Sequence, residues 1–455
     1  MRYDLILKNG TLVTPEKCFQ ADIAVSNGKI ALAGKLAGSD TAEEIYDAQG
    51  KHILSGIIDA HVHFRDPGLT EKEDFESGSM AAAFGGVTFA ADMPNVRPVT
   101  STVERFNEKA AIARGKSYID FGLFALLSND NAAQTEGLKK AGALGFKVFL
   151  GTSTGDIAPP SAGVLFEQMR ECAGTGMRIG FHAETSELNA HFTALCVTAL
   201  CVTALCRNRA GLQDGILLSQ ARPVISEALA IQTAICYAQY TGAKIHIHHV
   251  TSRDGALLVD EAKKKGVEVT AETCPHYLLL DANHGRAHKV YPPIRDESHR
   301  NGLWDALGKG VIDMIASDHA PHTAREKELP LWEAAAGLCG VETFVPLFLN
   351  EVNRGKLSLN DFVRLASEAP AKIWGIYPQK GNLLPGADAD FTVVDMKKKG
   401  KISASGLHSK SRTSAFDGTE IQGMPIATIV RGRFVMRDGK LTGAKGYGVL
   451  VSPAL

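Results

Sequence analysis

Gly56-Ile57-Ile58-Asp59-Ala60-His61-Val62-His63-Phe64-Arg65-Asp66-Pro67 is an apolar run that closes on two histidines spaced by one residue. On an extended strand, side chains two apart share a face, so His61 and His63 can reach a single point from one strand. Working outward, seven further short apolar runs follow, giving eight candidate strands at 53–63, 87–92, 119–127, 146–150, 178–182, 244–250, 267–273 and 312–317. Stretches with helical periodicity separate them, among them 74–84, 103–114, 228–240 and 255–265. Strands alternating with helices indicate a parallel sheet. Eight such units close most economically into an α/β fold of the (β/α)8 barrel type, in which chemistry sits at the C-terminal ends of the strands.

The two ends of the chain have a different texture. Leu5-Ile6-Leu7, Asp22-Ile23-Ala24-Val25 and the turn Ser26-Asn27-Gly28 have hairpin character, and 389–395 with 427–435 repeat that pattern near the C-terminus. The expectation is a small β-sandwich built from both termini, residues 1–52 plus 375–455, around a catalytic barrel of residues 53–374.

The chain's 455 residues are 45% hydrophobic and 22% charged, with a formal net charge of −1. No long-range field favours nucleic acid or an acidic membrane, so binding must come from a local site. No apolar run approaches the ~20 residues of a membrane span. The N-terminal apolar stretch is too short for a signal peptide, so a cytoplasmic location is expected. The eight cysteines form no CxxC pair and no disulfide framework. Three of them, Cys196, Cys201 and Cys206, fall in a tandem Thr-Ala-Leu-Cys-Val duplication over 193–206. Spacing of five does not align them on one helical face, so a soft-metal site is disfavoured against a tolerated duplication in a helix or loop.

His182, His249 and Asp318 each stand at the end of an apolar strand, as His61 and His63 do. Singly, each reads as a capping or core residue; five of them at four strand ends of one barrel read as a metal site. Imidazole and carboxylate donors suit Zn²⁺ and similar ions. Lys147 lies inside Gly145-Phe146-Lys147-Val148-Phe149. Pointing inward, it favours the neutral amine, which can add carbon dioxide and become an anionic carbamate. Pointing outward, it is a lysine passing the helix layer to reach water.

Together these motifs resemble the amidohydrolase superfamily, and within it the cyclic amidases: dihydroorotase, allantoinase and the hydantoinase/dihydropyrimidinase group. The resemblance runs from Gly56 to the Gly386-Ala387-Asp388-Ala389-Asp390 turn. It implies a binuclear zinc site held by His61, His63, His182, His249, Asp318 and a carboxylated Lys147 bridging the two ions, with Asp318 moving the proton. His248 competes for the sixth-strand position; similarity to the family's His-Val-Ser/Thr favours His249. Arg65, Asn95 and His322 resemble the dihydroorotase residues that hold the substrate carboxylate, and an arginine fork suits that anion. Gly340-Val341-Glu342-Thr343, Ser409-Lys410-Ser411 and Phe416-Asp417-Gly418 are similar to dihydroorotase too, whereas the Phe-Lys-Val-Phe context of Lys147 and Thr273-Cys274-Pro275-His276-Tyr277-Leu278 also resemble hydantoinases and allantoinases.

The resemblance thus implies a dihydroorotase that interconverts dihydroorotate and N-carbamoyl-L-aspartate in pyrimidine biosynthesis, acting on a small cyclic amide with a carboxylate. Allantoinase or hydantoinase is the alternative. An inactive structural paralogue would show broken ligand positions, and here every position is filled. Relatives of this kind imply a homodimer or homotetramer.

Overall fold

The computed structural model describes residues 1–151, 157–202 and 214–454. Eight parallel strands form one sheet: β1 (Ile57–Val62), β2 (Val87–Asp92), β3 (Asp120–Leu126), β4 (Gly145–Phe149), β5 (Ile179–His182), β6 (Ile245–Ile247), β7 (Val269–Thr273) and β8 (Met314–Ile315), in that order. They are buried on both faces almost throughout, which is why they read as continuous apolar runs and not as alternating ones. A parallel bridge between Val62 and His319 joins the two edges into a barrel, reinforced by His63 N–H donating to the His319 carbonyl at 2.7 Å. Asp59 strengthens the same junction by accepting from the Ser317 N–H at 3.0 Å.

A separate nine-stranded sheet draws its strands from both ends of the chain. Arg2–Val13 pairs with Cys18–Ser26, Thr41–Asp47 and His52–Ser55, and the last of these pairs with Phe391–Lys401, which leads on to Glu420–Val430. Asn27 and Gly28 both have positive φ in the turn between Cys18–Ser26 and Lys29–Gly34, as the hairpin chemistry requires. Leu5, Leu7, Ile23, Val25, Phe391, Val393 and Ile429 are buried in this sheet's own apolar core. The barrel within a terminal sandwich is the fold the sequence indicated.

The run over 53–63 is two strands and not one. His52–Ser55 belongs to the terminal sheet and Ile57–Val62 to the barrel. The chain changes sheet at Gly56, whose N–H donates to the Asp390 carbonyl at 2.8 Å. A Cβ there would lie 2.3 Å from Thr88 Oγ1 and 2.7 Å from Asp390 Cβ, so the crossing admits only glycine without rearrangement.

The duplicated segment begins on the helix Ser186–Val202, with Leu195 and Val197 exposed. Its remainder, including Cys206, lies outside the described residues. No described helix is long and apolar enough to cross a membrane.

Candidate active site

Three functional candidates follow strand ends on left-handed backbone: Arg65 (φ 63°), His249 (φ 39°) and Asp318 (φ 48°). Non-glycine residues hold this conformation at a cost of about 1–3 kcal/mol each and concentrate at functional sites. For His249 the effect is visible. β6 ends at Ile247, and the turn sends His249 to the barrel mouth while His248 stays beneath it.

One pocket at the barrel mouth is lined by His61, His63, Lys147, His182, His249 and Asp318, with Arg65 and Asn95 on its wall. Of the sequence candidates, His322 and the competing ligand His248 are not among the described lining residues. His322 stands behind Arg65, with its Nε2 3.2 Å from Arg65 Nη2.

Each histidine of the first strand is held by one ring nitrogen. His61 Nδ1 donates to Glu272, and His63 Nδ1 donates to Asn95 Oδ1 at 2.7 Å. Both therefore present an Nε2 lone pair, and both Nε2 atoms lie 3.4 Å from Asp318 Oδ1. Burial holds both imidazoles below their ordinary range, so they are neutral. Two lone pairs and a carboxylate oxygen are all acceptors, and their convergence calls for a cation among them; these three side chains form a candidate ion-binding group.

A second pair faces them. His182 Nε2 bonds Glu184 Oε2 at 3.0 Å, leaving Nδ1 turned toward His249 Nε2, also at 3.0 Å. Burial alone would raise the Glu184 carboxyl, but the charge of Arg222 and the hydrogen bonds from His182 and Arg222 together outweigh it and hold Glu184 down to about 2. Arg222 Nε donates to Glu184 at 2.9 Å, and its guanidinium lies 3.7 Å from the Tyr291 ring centre.

Lys147 points inward. It is fully buried, its Nζ has no hydrogen-bond partner among the described residues, and it lies 5.1 Å from the Phe149 ring centre. Burial pulls the amine down to about 7, so a large neutral fraction exists at neutral pH. An unpartnered buried amine is costly. Its conversion to a carbamate beside the histidines would supply the acceptor oxygens a cation pair requires. The donor set thus fits divalent metal.

Arg65 Nε donates to the Pro321 carbonyl at 3.2 Å, while Nη1 is buried with no hydrogen-bond partner among the described residues. His322 Nε2 also lies 3.0 Å from the Ala336 carbonyl, and its Nδ1 lies 3.4 Å from Lys72 Nζ. Carbonyl and ammonium together select the tautomer that donates from Nε2 and accepts at Nδ1. In that tautomer His322 offers Arg65 Nη2 no lone pair, and Nη1 has no partner among the described residues. Burial pulls Arg65 down to about 10, which leaves it cationic at neutral pH. Beneath it, Asp92 accepts from Phe64 N–H at 2.6 Å and pairs with the fully buried Lys109, fixing the backbone next to Arg65.

The sequence reading did not single out Glu184, Arg222, Glu272 or His246. Glu184, two residues beyond a candidate ligand, and His246, three before another, left local signals.

A barrel whose strand ends gather histidines, an aspartate and a buried lysine defines a metal-dependent hydrolase. More narrowly, the chain belongs to the amidohydrolase family, whose pattern matches residues 52–435. It is 36% identical to an allantoinase from Deinococcus radiodurans over 97% of each chain, and 34% identical to a dihydroorotase from Methanosphaera stadtmanae over 96% of this chain and 97% of that one. An L-hydantoinase (dihydropyrimidinase) structure from Arthrobacter aurescens superposes with a TM-score of 0.93 at 34% identity, covering 99% of this chain and all of that one. The chain is a cyclic amidohydrolase of this family.

Proposed function

We propose that the enzyme hydrolyses a cyclic amide that carries a carboxylate, with dihydroorotate as the ring that fits, and closes N-carbamoyl-L-aspartate in reverse. The observation that carries this reading is Arg65: a buried guanidinium on the pocket wall with Nη1 unpaired among the described residues and Nη2 facing only the His322 ring. A carboxylate satisfies both nitrogens as a bidentate pair. A hydantoin or allantoin ring has no carboxylate to offer and leaves a buried cation unpaired.

His61, His63, His182, His249, Asp318 and Lys147 would hold two Zn²⁺ ions, the lysine as a carbamate formed when the neutral amine adds carbon dioxide and releases a proton. Bound there, the ions supply Lewis-acid polarisation of the ring carbonyl and acidify water toward neutrality. Asp318, set between His61 and His63, takes the proton from the attacking water and returns it to the ring nitrogen as the C–N bond breaks. Arg65 and Asn95 orient the ring, and His322 acts through Arg65.

The test is a panel of dihydroorotate, allantoin, hydantoin and dihydrouracil, run on the wild type and on Arg65→Met. Dihydroorotate should be the preferred substrate, and the substitution should weaken it far more than the uncharged rings. Equal losses on all four, or a wild-type preference for an uncharged ring, would refute the clamp. The second reading, an allantoinase or hydantoinase, draws on the allantoinase and L-hydantoinase similarities, and the same panel decides it.

A further inference from the structure

Below the pocket floor lies a cluster that the proposed reaction does not use. Glu272, on β7, is fully buried. Its Oε1 accepts from His61 Nδ1 and, at 3.0 Å, from His248 Nδ1; its Oε2 accepts from His246 Nε2 at 3.1 Å. Neither His246 nor His248 is among the described pocket residues. His246 closes its other side on Thr270 Oγ1 at 2.8 Å. His248 stacks on Trp374 at an interplanar angle of 13°, and its Nε2 fills the space above Gly180, where a Cβ would approach within 2.0 Å.

A barrel core gains nothing in stability from one carboxylate and three imidazoles that apolar side chains of equal volume would not supply more cheaply. What the arrangement does supply is orientation. Burial pushes the Glu272 carboxyl up, and as the carboxylate it accepts at both oxygens from each ring nitrogen that faces it. For His61 this places the hydrogen on Nδ1 and the lone pair on Nε2, the atom 3.4 Å from Asp318 Oδ1. His246 and His248 brace the carboxylate from the other sides and fix its plane.

We propose that Glu272 is a positioning residue for the metal centre: it sets the tautomer and ring direction of His61, with His246 and His248 as its struts. This rests on the reading of His61 as a ligand. A carboxylate behind a ligating imidazole raises its basicity, and loss of such a partner typically weakens metal binding about 10–100-fold.

The experiment measures zinc affinity of the folded apo-protein by competition with a chromophoric chelator, alongside its thermal unfolding in chelator. The variants are Glu272→Gln, His246→Gln and His61→Asn. Glu272→Gln keeps the shape and removes the charge, and should weaken zinc about 10–100-fold. His246→Gln removes one strut, and should lower the apo melting temperature with a much smaller change in affinity. An apo-protein of Glu272→Gln that unfolds earlier yet binds zinc normally makes the cluster purely structural and overturns the proposal. If His61→Asn also binds zinc normally, the ligand assignment itself has failed. If His61→Asn loses zinc while folded Glu272→Gln does not, only the role given to Glu272 is wrong.

Discussion

His182 and Glu184 are two residues apart and face each other across 3.0 Å, from Nε2 to Oε2, so that the outer nitrogen of the imidazole is spoken for and the inner one is free for the pocket. The same carboxylate neutralises Arg222, and the pair is sealed from water.

Removing the charge of Glu184 should therefore deprive the buried Arg222 guanidinium of the carboxylate it pairs with. Glu184→Gln is expected to cost about 3–5 kcal/mol at pH 7. The folded carboxyl sits near 2 against an ordinary 4.5, so its contribution is complete above the unfolded value and is lost as pH falls from about 4.5 through 2. The gap between wild type and variant should narrow over that acid range. Urea melts at pH 7 and pH 3 measure it, and a constant gap would contradict the linkage.

Asp318→Asn keeps the size of the side chain and removes its capacity to carry a proton. Metal content should be largely retained while kcat falls by about 10²–10⁴-fold, the usual worth of a positioned acid–base group. Near-normal turnover would assign the proton transfer to another residue. Metal content by atomic absorption and steady-state rates on one preparation are sufficient.

Lys147→Met should abolish turnover and reduce bound metal. In wild type, equilibration with ¹³C-bicarbonate should give a carbamate resonance that vanishes in the variant and on acidification. A wild-type spectrum without that resonance, from fully active enzyme, would leave the lysine unmodified.

Gly180→Ala drives a methyl group into the His248 ring. It should destabilise the fold by about 1–3 kcal/mol, the usual range for overpacking, and should not alter the substrate preference. Thermal melts with the substrate panel test both parts.

The barrel strands were legible because a strand buried on both faces is apolar at most positions, as in Val87–Asp92 and Asp120–Leu126. The strand-end histidines were legible for the converse reason: a polar residue closing an apolar run is conspicuous. What the sequence withholds is backbone direction and distant partnership. Nothing in Ile247-His248-His249 announces that a left-handed residue turns His249 to the mouth and leaves His248 under the floor. Nor does Val269-Thr270-Ala271-Glu272-Thr273 announce its tie to His61, 211 residues away. The break at Gly56 was hidden because both sheets demand the same apolar residues on either side of it.

Val62 and His319, the staves that shut the barrel, adjoin His61 and His63 on one side and Asp318 on the other. The seam thus borders three of the proposed metal ligands, His61, His63 and Asp318. If those residues are ligands, the first strand must meet the last before the proposed centre is complete. Circular permutation or splitting of the polypeptide elsewhere should spare the enzyme so long as that one seam can still knit.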